Sequence, residues 1–275
     1  MNPENSFVKL TPPIRKLLHQ VQINIPFKML YDTYLDRFLE YRLNPEIGID
    51  AEALERFDLS DYRRIAEKIH DRRLSITLHG PFIDLAAGST DPAVKAVTRS
   101  RFEQLLELVP IFRPTAVVCH AGYDWRRYSY FRDEWIENSL ETWAWLAGCL
   151  RAQGSRLMLE NVYESDSRDM AVILKGLNRQ HVGFCLDAGH LIAFGQGNLK
   201  QWLEDLGPYI GQLHLHDNHG SDDEHLSLGT GKIDFNLLFA YLISHNRPRP
   251  IITLEPHQEA DLWPSLAYLE SLWPW

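Results

Sequence analysis

The sequence predicts one closed α/β barrel, a (β/α)8 barrel of the TIM type, on three observations. Strand-like and helix-like segments alternate along the chain, no Gly/Ser-rich or low-complexity stretch divides it, and strand-like runs stop repeatedly on a histidine or a carboxylate. Parallel strands joined by helices close into such barrels at about 250 residues, with the functional groups where the strands end. At 275 residues, 45% hydrophobic and 24% charged, the chain can fill that one core. Residues 1–275 are therefore read as a single domain, with 1–18 as a lead-in segment.

Val21 to Pro26 alternates and reads as the first strand, and Leu30 to Tyr41 then spaces Leu, Tyr and Phe at helical intervals. Glu46 to Ile49 is a short second strand before a helix from Ser60 to Arg72. The third strand ends at His79, and Asp91 to Phe112 follows as a helix with Pro92 in its first turn, where proline is tolerated. The fourth ends at His120; an aromatic loop leads to a Trp-rich helix, Trp135 to Gln153, which Gly154 can terminate. Three more pairs follow: Arg156 to Glu160 with Arg168 to Asn178, Val182 to Asp187 with Leu199 to Leu206, and Ile210 to His216 with Phe235 to His245. The eighth strand, Pro250 to Glu255, precedes a last helical segment, Leu262 to Leu272.

A formal charge of -9 argues against a broad nucleic-acid footprint, which rests on lysine and arginine. Cys119, Cys149 and Cys185 are an odd set without paired spacing, so they read as structural thiols in a reducing compartment. No run reaches the length of a membrane span, and Met1 to Leu18 has no continuous apolar stretch. A soluble, cytoplasmic protein is the expectation.

The strand ends carry the chemistry. His79, His120, Glu160, Asp187, His214 and Glu255 each close an apolar run, and His190, Asp223 and His225 lie in the segments that follow them. Ionised groups there cost several kcal/mol unless paired or metal-bound, so the repetition points to a shared ligand set. In Asp187-Ala188-Gly189-His190 a carboxylate and an imidazole three residues on can serve one ion or bridge two. His214 and His216 share one side of a strand, so one can be a ligand and the other its support. Imidazole and carboxylate without thiolate suit zinc, manganese, cobalt or iron(II) without choosing among them, with about one to three divalent ions per chain.

With these residues the chain resembles the xylose isomerase-like barrel superfamily, which joins sugar and sugar-phosphate isomerases and epimerases to endonuclease IV. The likeness covers nearly the whole chain. The isomerase and epimerase pattern falls on Glu160, Asp187, His214 and Glu255, and implies that Glu160 and Glu255 hold the metal and exchange a proton. The endonuclease IV pattern also takes in His79, His120, His190, Asp223 and His225, which implies a three-zinc set. Glu160-Asn161 and the turn Leu228-Gly229-Thr230-Gly231 resemble that enzyme too. Two departures stand out: no lysine beside Glu160 or arginine shortly after His214, as aldose and ketose isomerases often have, and a short acidic segment, Asp50 to Leu59, after the second strand where endonuclease IV has long basic loops.

For substrate, the aromatic and arginine-rich loop Tyr123 to Arg132 offers Trp125, Arg126 and Arg127, which can bind phosphate or stack on a ring, or simply pack over helices. Phe82 is a wedge or, more ordinarily, a core aromatic; Glu46 lines the pocket or forms a buried salt bridge; His216 stands beside the ligands. Trp263, Tyr268, Leu272, Trp273 and Trp275 form an apolar cluster that docks the last helix or, on a sharper reading, supports a homodimer. The leading expectation is a metal-dependent isomerase or epimerase of a small sugar or sugar phosphate, with Glu160 and Glu255 moving the proton. Phosphoester hydrolysis by an endonuclease IV-like cluster is the alternative, and a noncatalytic binding barrel comes third.

Overall fold

The structure, a computed structural model, describes residues 11–195 and 198–275. The first ten residues of the predicted lead-in lie outside the described residues, while Pro12–Leu18 forms a helix whose Thr11 side chain accepts from the Ile14 amide. Eight parallel strands follow in chain order: β1 Gln22–Pro26, β2 Asn44–Gly48, β3 Thr77–His79, β4 Ala116–His120, β5 Arg156–Glu160, β6 Gly183–Asp187, β7 Ile210–Leu215 and β8 Ile251–Leu254. Each pairs with the next, and β1 pairs with β8 through Gln22↔Thr253 and Ile23↔Leu254, which closes the barrel.

The alternation of each strand sorts its residues. Val117, Cys119, Leu157, Leu159, Phe184, Leu186, Leu213 and Leu215 belong to the large core between strands and helices. Ala116, Val118, Met158 and Cys185 have the opposite parity and fill a separate small cluster within the barrel. Continuing that inner parity to the strand ends gives His120, Glu160 and Asp187, so these predicted ligands are inward residues that overshoot the apolar filling.

Most helices fall where the periodicity puts them. Asp91 caps Pro92–Phe112, and Asp58 forms a reciprocal capping box with Asp61 at the head of Leu59–Asp71. Gly154 takes φ +79 just past Arg132–Ala152. Three further short helices are additions: Ala51–Arg56, capped by Asp50, within the acidic segment after β2, Trp125–Tyr128 in the aromatic loop after β4, and Ala188–Ala193, capped by Asp187 immediately after β6. The helix after β1 starts earlier than its apolar spacing suggests, as Phe27–Met29, and runs through a π-helical turn, Leu30–Tyr34, into Leu35–Tyr41.

The C-terminal aromatics dock the last helix, Glu259–Leu272: Trp263 packs edge-on against Tyr41, Tyr268 against Phe235, and Trp275 against Phe239. Cys119, Cys149 and Cys185 are free thiols. No helix among the described residues is long and apolar enough to cross a membrane.

Candidate metal centre and active-site cavity

Strand register assembles the site. His120 pairs with Glu160 across β4 and β5, Asp187 pairs with His214 across β6 and β7, and Glu255 lies one residue past the Leu215↔Leu254 pair. The loop after β7 supplies Asp223 and His225, and it is pinned by Asp217. That buried carboxylate accepts from the amides of Asn218, Gly229, Gly231 and Ile233 at 2.9 to 3.2 Å, while Asp217 and Leu226 pair through their backbones. Gly229 sits at φ +82, where a side chain would strain the turn, and His225 itself is left-handed at φ +51.

The predicted ligands converge as sets. His79, His120 and Glu160 bring one ligand atom each within 4.8 Å of one another, and so do His190, His216, Asp223 and His225. Glu160, Asp187 and His190, then Glu46, His214 and Glu255, are two further such sets among the described residues. Glu160 sits at the junction. Its Oε2 is 3.1 Å from His79 Nε2 and 3.5 Å from His120 Nε2, while its Oε1 is 3.1 Å from His214 Nδ1 and 3.4 Å from His190 Nδ1.

Hydrogen bonds behind the imidazoles fix which nitrogen faces inward. A backbone carbonyl only accepts, so the ring nitrogen beside it must carry the hydrogen. Nδ1 of His79 donates to the Gly80 carbonyl, Nδ1 of His190 to Asn161 and Nδ1 of His225 to Glu255, each at 3.0 Å. Their Nε2 atoms are left facing carboxylates: Glu160 for His79, and Asp223 for His190 at 3.3 Å and His225 at 3.1 Å. His214 is mounted the other way round. Its Nε2 lies 2.8 Å from Glu46 Oε1, and its Nδ1 faces Glu160 and, at 3.0 Å, Glu255.

The electrostatics are those of carboxylates compensated by imidazolium. Burial opposes ionisation of Glu160, but His214 and His120 and bonds from His190 and His214 hold it well below the usual carboxylate range. Burial likewise opposes charge on His190 and His214, yet their acidic neighbours push both well above the ordinary histidine value. His225 is raised to about 9 by Asp223 and Glu255 against its burial, whereas burial lowers His120 to about 3. Burial raises Glu255. Neutral imidazole lone pairs and carboxylates are what a divalent cation takes, so cations can replace the protons that balance this set. Two buried atoms, Asp223 Oδ1 and His216 Nδ1, have no hydrogen-bond partner among the described residues, and the donor set fits divalent metal.

Above the ligands opens a cavity of about 490 Å³, lined by His79, His120, Glu160, His190, Asp223, His225 and Glu255 and walled by residues of several loops. Other predicted residues find different places. Phe82 is not core: it is 41% exposed in the cavity and stacks on His120 with ring centroids 4.1 Å apart. Glu46 does not line the cavity but lies fully buried beneath it, bonded to His214, Thr77, Gln212 and Thr253. His216 is buried too, 3.2 Å from Asp187 and stacked on His225 at 3.7 Å, so it sits among the predicted ligands and does not line the cavity. Trp125, Arg126 and Arg127 are not among the lining residues. Asp124 caps the short helix Trp125–Tyr128 that carries them, Arg126 leans back toward Asp124, and Arg127 covers Tyr128.

Sequence reasoning missed Asp217, His257, Glu164 and the wall residues Tyr163 and Phe194. His257 stacks on His225 at 3.6 Å and lines the cavity; its period-two spacing from Glu255 is the signal that could have found it. Glu164, pushed up to about 7 by burial, accepts from the Tyr123 and Val162 amides and ties the loop after β4 to the loop after β5.

The model of the xylose isomerase-like TIM barrel family matches residues 44–272. The chain belongs to that family. This xylose isomerase-like barrel is 28% identical over 176 residues to the uncharacterised protein MJ1311 of Methanocaldococcus jannaschii; the match spans 61% of this chain and 60% of that protein's length. It is 25% identical over 213 residues to a probable endonuclease 4 of Mycobacterium leprae, covering 73% of this chain and 81% of that protein. Among solved structures, the TTHB071 protein from Thermus thermophilus, soaked with ZnCl2, superposes with a TM-score of 0.78 at 27% identity over 92% of this chain and 98% of that one. A D-tagatose 3-epimerase-like protein, at 22% identity, shares the barrel fold.

Proposed function

We propose that this xylose isomerase-like barrel is a divalent-metal-dependent hydrolase of phosphoesters with a multinuclear centre. The observation that carries the reading is the division of Glu160, with Oε2 beside His79 and His120 and Oε1 beside His214. A carboxylate placed between two ligand sets is suited to bridge two ions. With both oxygens so engaged, it has little capacity left to carry a proton between substrate carbons, the task an epimerase would give it.

The first ion would take His79, His120 and Glu160, the second Glu160, Asp187, His214 and Glu255, and the third His190, Asp223 and His225 with His216 alongside. Zinc suits the ligands best, ahead of manganese, cobalt or iron(II). When bound, such ions supply Lewis-acid polarisation of phosphoryl oxygens and acidify water. The protein's own part is to hold the imidazoles in one tautomer through Gly80, Asn161, Glu255 and Glu46 and to keep Asp223 in place through the Asp217 turn. The likeness to a probable endonuclease 4 and to a structure soaked with zinc supports this reading. With a net charge of -9, the substrate is better read as a small phosphoester than as long nucleic acid.

A second reading, a sugar or sugar-phosphate epimerase or isomerase working with Glu160 and Glu255, draws on one observation: oxygens of both glutamates lie within 3.1 Å of His214 Nδ1, a single-ion arrangement with two candidate proton carriers. Elemental analysis of chelator-free protein, paired with turnover of bis(p-nitrophenyl) phosphate, separates the two. About three ions per chain and phosphodiester cleavage lost with Glu160→Gln is the expected outcome. About one ion per chain, no phosphodiester cleavage, and exchange of a carbon-bound hydrogen of a ketose with solvent deuterium would overturn it in favour of the epimerase.

A further inference from the structure

The aromatic mouth of the cavity is not used by the ligand set and has its own chemistry. Phe82 and Tyr163 are 41% and 47% exposed, Ile83 is 66% exposed and Met29 39%, and all four line this cavity. The rings are set by the site beneath them: Phe82 lies flat on His120, 28° from parallel, while Tyr163 packs on Phe194, whose ring stacks on His190. Large apolar side chains left open beside a polar centre mark a ligand site more often than an idle surface.

The mouth is equally defined by its charge. Among the described residues, no lysine or arginine lines the cavity, and Asp50 does. Lys28, on the helix that follows β1, pairs with Glu52 at 2.6 Å and lies 3.9 Å from Asp50, so it is committed to these two carboxylates. With the phosphoryl group held at the centre, the hydroxylated body of a sugar would meet the apolar faces of Met29, Phe82 and Ile83 at the mouth, which offer its hydroxyls no hydrogen bonds. A flat, apolar substituent would meet faces on which it can stack.

We infer that the substrate carries a flat aromatic ring, aryl or base-like, next to its phosphoester, and that Phe82 and Tyr163 form the subsite that selects it. The inference rests on the hydrolytic reading for where the phosphoryl group lies. At about 490 Å³ the cavity admits a phosphoryl group and one ring system together.

The test is calorimetric titration of the zinc-loaded full chain with phenylphosphonate, cyclohexylphosphonate and methylphosphonate, which share one anionic head. Phenylphosphonate is expected to bind about tenfold more tightly than methylphosphonate and several-fold more tightly than cyclohexylphosphonate. The Phe82→Ala, Tyr163→Ala double variant, checked for native circular dichroism and zinc content, should reduce the phenyl advantage to within about twofold. Equal affinity for phenyl and methyl, or an advantage that survives in the double variant, overturns the subsite; equal affinity for phenyl and cyclohexyl overturns its selection of flat rings. Binding of phenylphosphonate as expected without hydrolysis of any phosphoester would sink the proposed function and leave the ring subsite standing. No binding of any phosphonate to zinc-loaded protein would sink both.

Discussion

Glu46→Gln is the sharpest perturbation of the centre, because it changes one charge and almost no volume beneath the ligands. Glu46 is fully buried, and its Oε1 takes the Nε2 hydrogen of His214 at 2.8 Å. Its Oε2 accepts from Thr77 at 2.8 Å, Gln212 at 2.5 Å and Thr253 at 3.1 Å. A glutamine can still accept from His214, but its amide hydrogens then confront the Gln212 amide, another donor. The charge-assisted bond to His214 becomes a neutral one, a loss of about 1 kcal/mol. The His214 Nδ1 lone pair also becomes less basic and less firmly aimed at Glu160 and Glu255. Loss of such a partner behind a histidine ligand typically weakens metal binding about 10- to 100-fold, equivalent to about 1.4 to 2.8 kcal/mol. The assay is zinc titration against a chromophoric chelator, with circular dichroism on the metal-free variant. The expected result is that one class of site weakens by that factor while sites built on His79 and His225 hold. Zinc affinity within twofold of the parent at every site, in a folded variant, would refute a ligand role for His214.

Three other outcomes are expected. A Cβ at Gly189 would overlap the His216 imidazole, so Gly189→Ala should cost about 1 to 3 kcal/mol and lower the melting temperature by several degrees, and an unchanged melting curve would show that His216 is free to move. Asp217→Ala removes the acceptor of the Asn218, Gly229, Gly231 and Ile233 amides, so hydrogen exchange across 217–233 should accelerate and zinc at Asp223 and His225 should weaken; unaltered protection of Gly229 and Gly231 speaks against the anchor. Because His225 is raised to about 9 when folded, its proton stabilises the metal-free chain fully below about pH 6.5, and that stability, up to about 3 kcal/mol, is lost as pH rises from 6.5 to 9. Urea midpoints of metal-free and zinc-loaded protein across that range should diverge, and a flat profile for the metal-free chain contradicts the assignment.

The barrel was legible because its signal repeats: a β-branched run, a ligand, a turn, a helix. The convergence of these side chains was legible for the same reason, since Val118 and His120, or Cys185 and Asp187, share an inward parity that two-residue periodicity exposes. What escaped depends on distances the chain does not encode locally. Phe82 reads as core from its composition, yet the loop after β3 turns it onto His120. Arg126 and Arg127 read as phosphate binders by residue type, but the Asp124 cap commits them to a short helix away from the cavity lining. Asp217 looks like one more acidic loop residue until four backbone amides are found pointing at it.

The buried polar group under the site also bears on how the barrel closes. The β8–β1 seam has two register pairs, Gln22↔Thr253 and Ile23↔Leu254, against five between β1 and β2. Glu46, on β2, crosses the interior to Gln212 on β7 and Thr253 on β8, and also bonds Thr77 on β3. It therefore spans the seam from inside, adding side-chain bonds to its two backbone register pairs. A buried carboxylate is a poor choice for stability alone, since its desolvation offsets much of what its bonds return. Its position is better explained by what it holds: one group sets the tautomer of His214, whose Nδ1 faces Glu160 and Glu255, and ties together the strands on either side of the seam. Closure of the barrel and assembly of the ligand set are on this account one event, so metal should raise the unfolding midpoint of the whole barrel in a single transition and not merely order the loop 217–233.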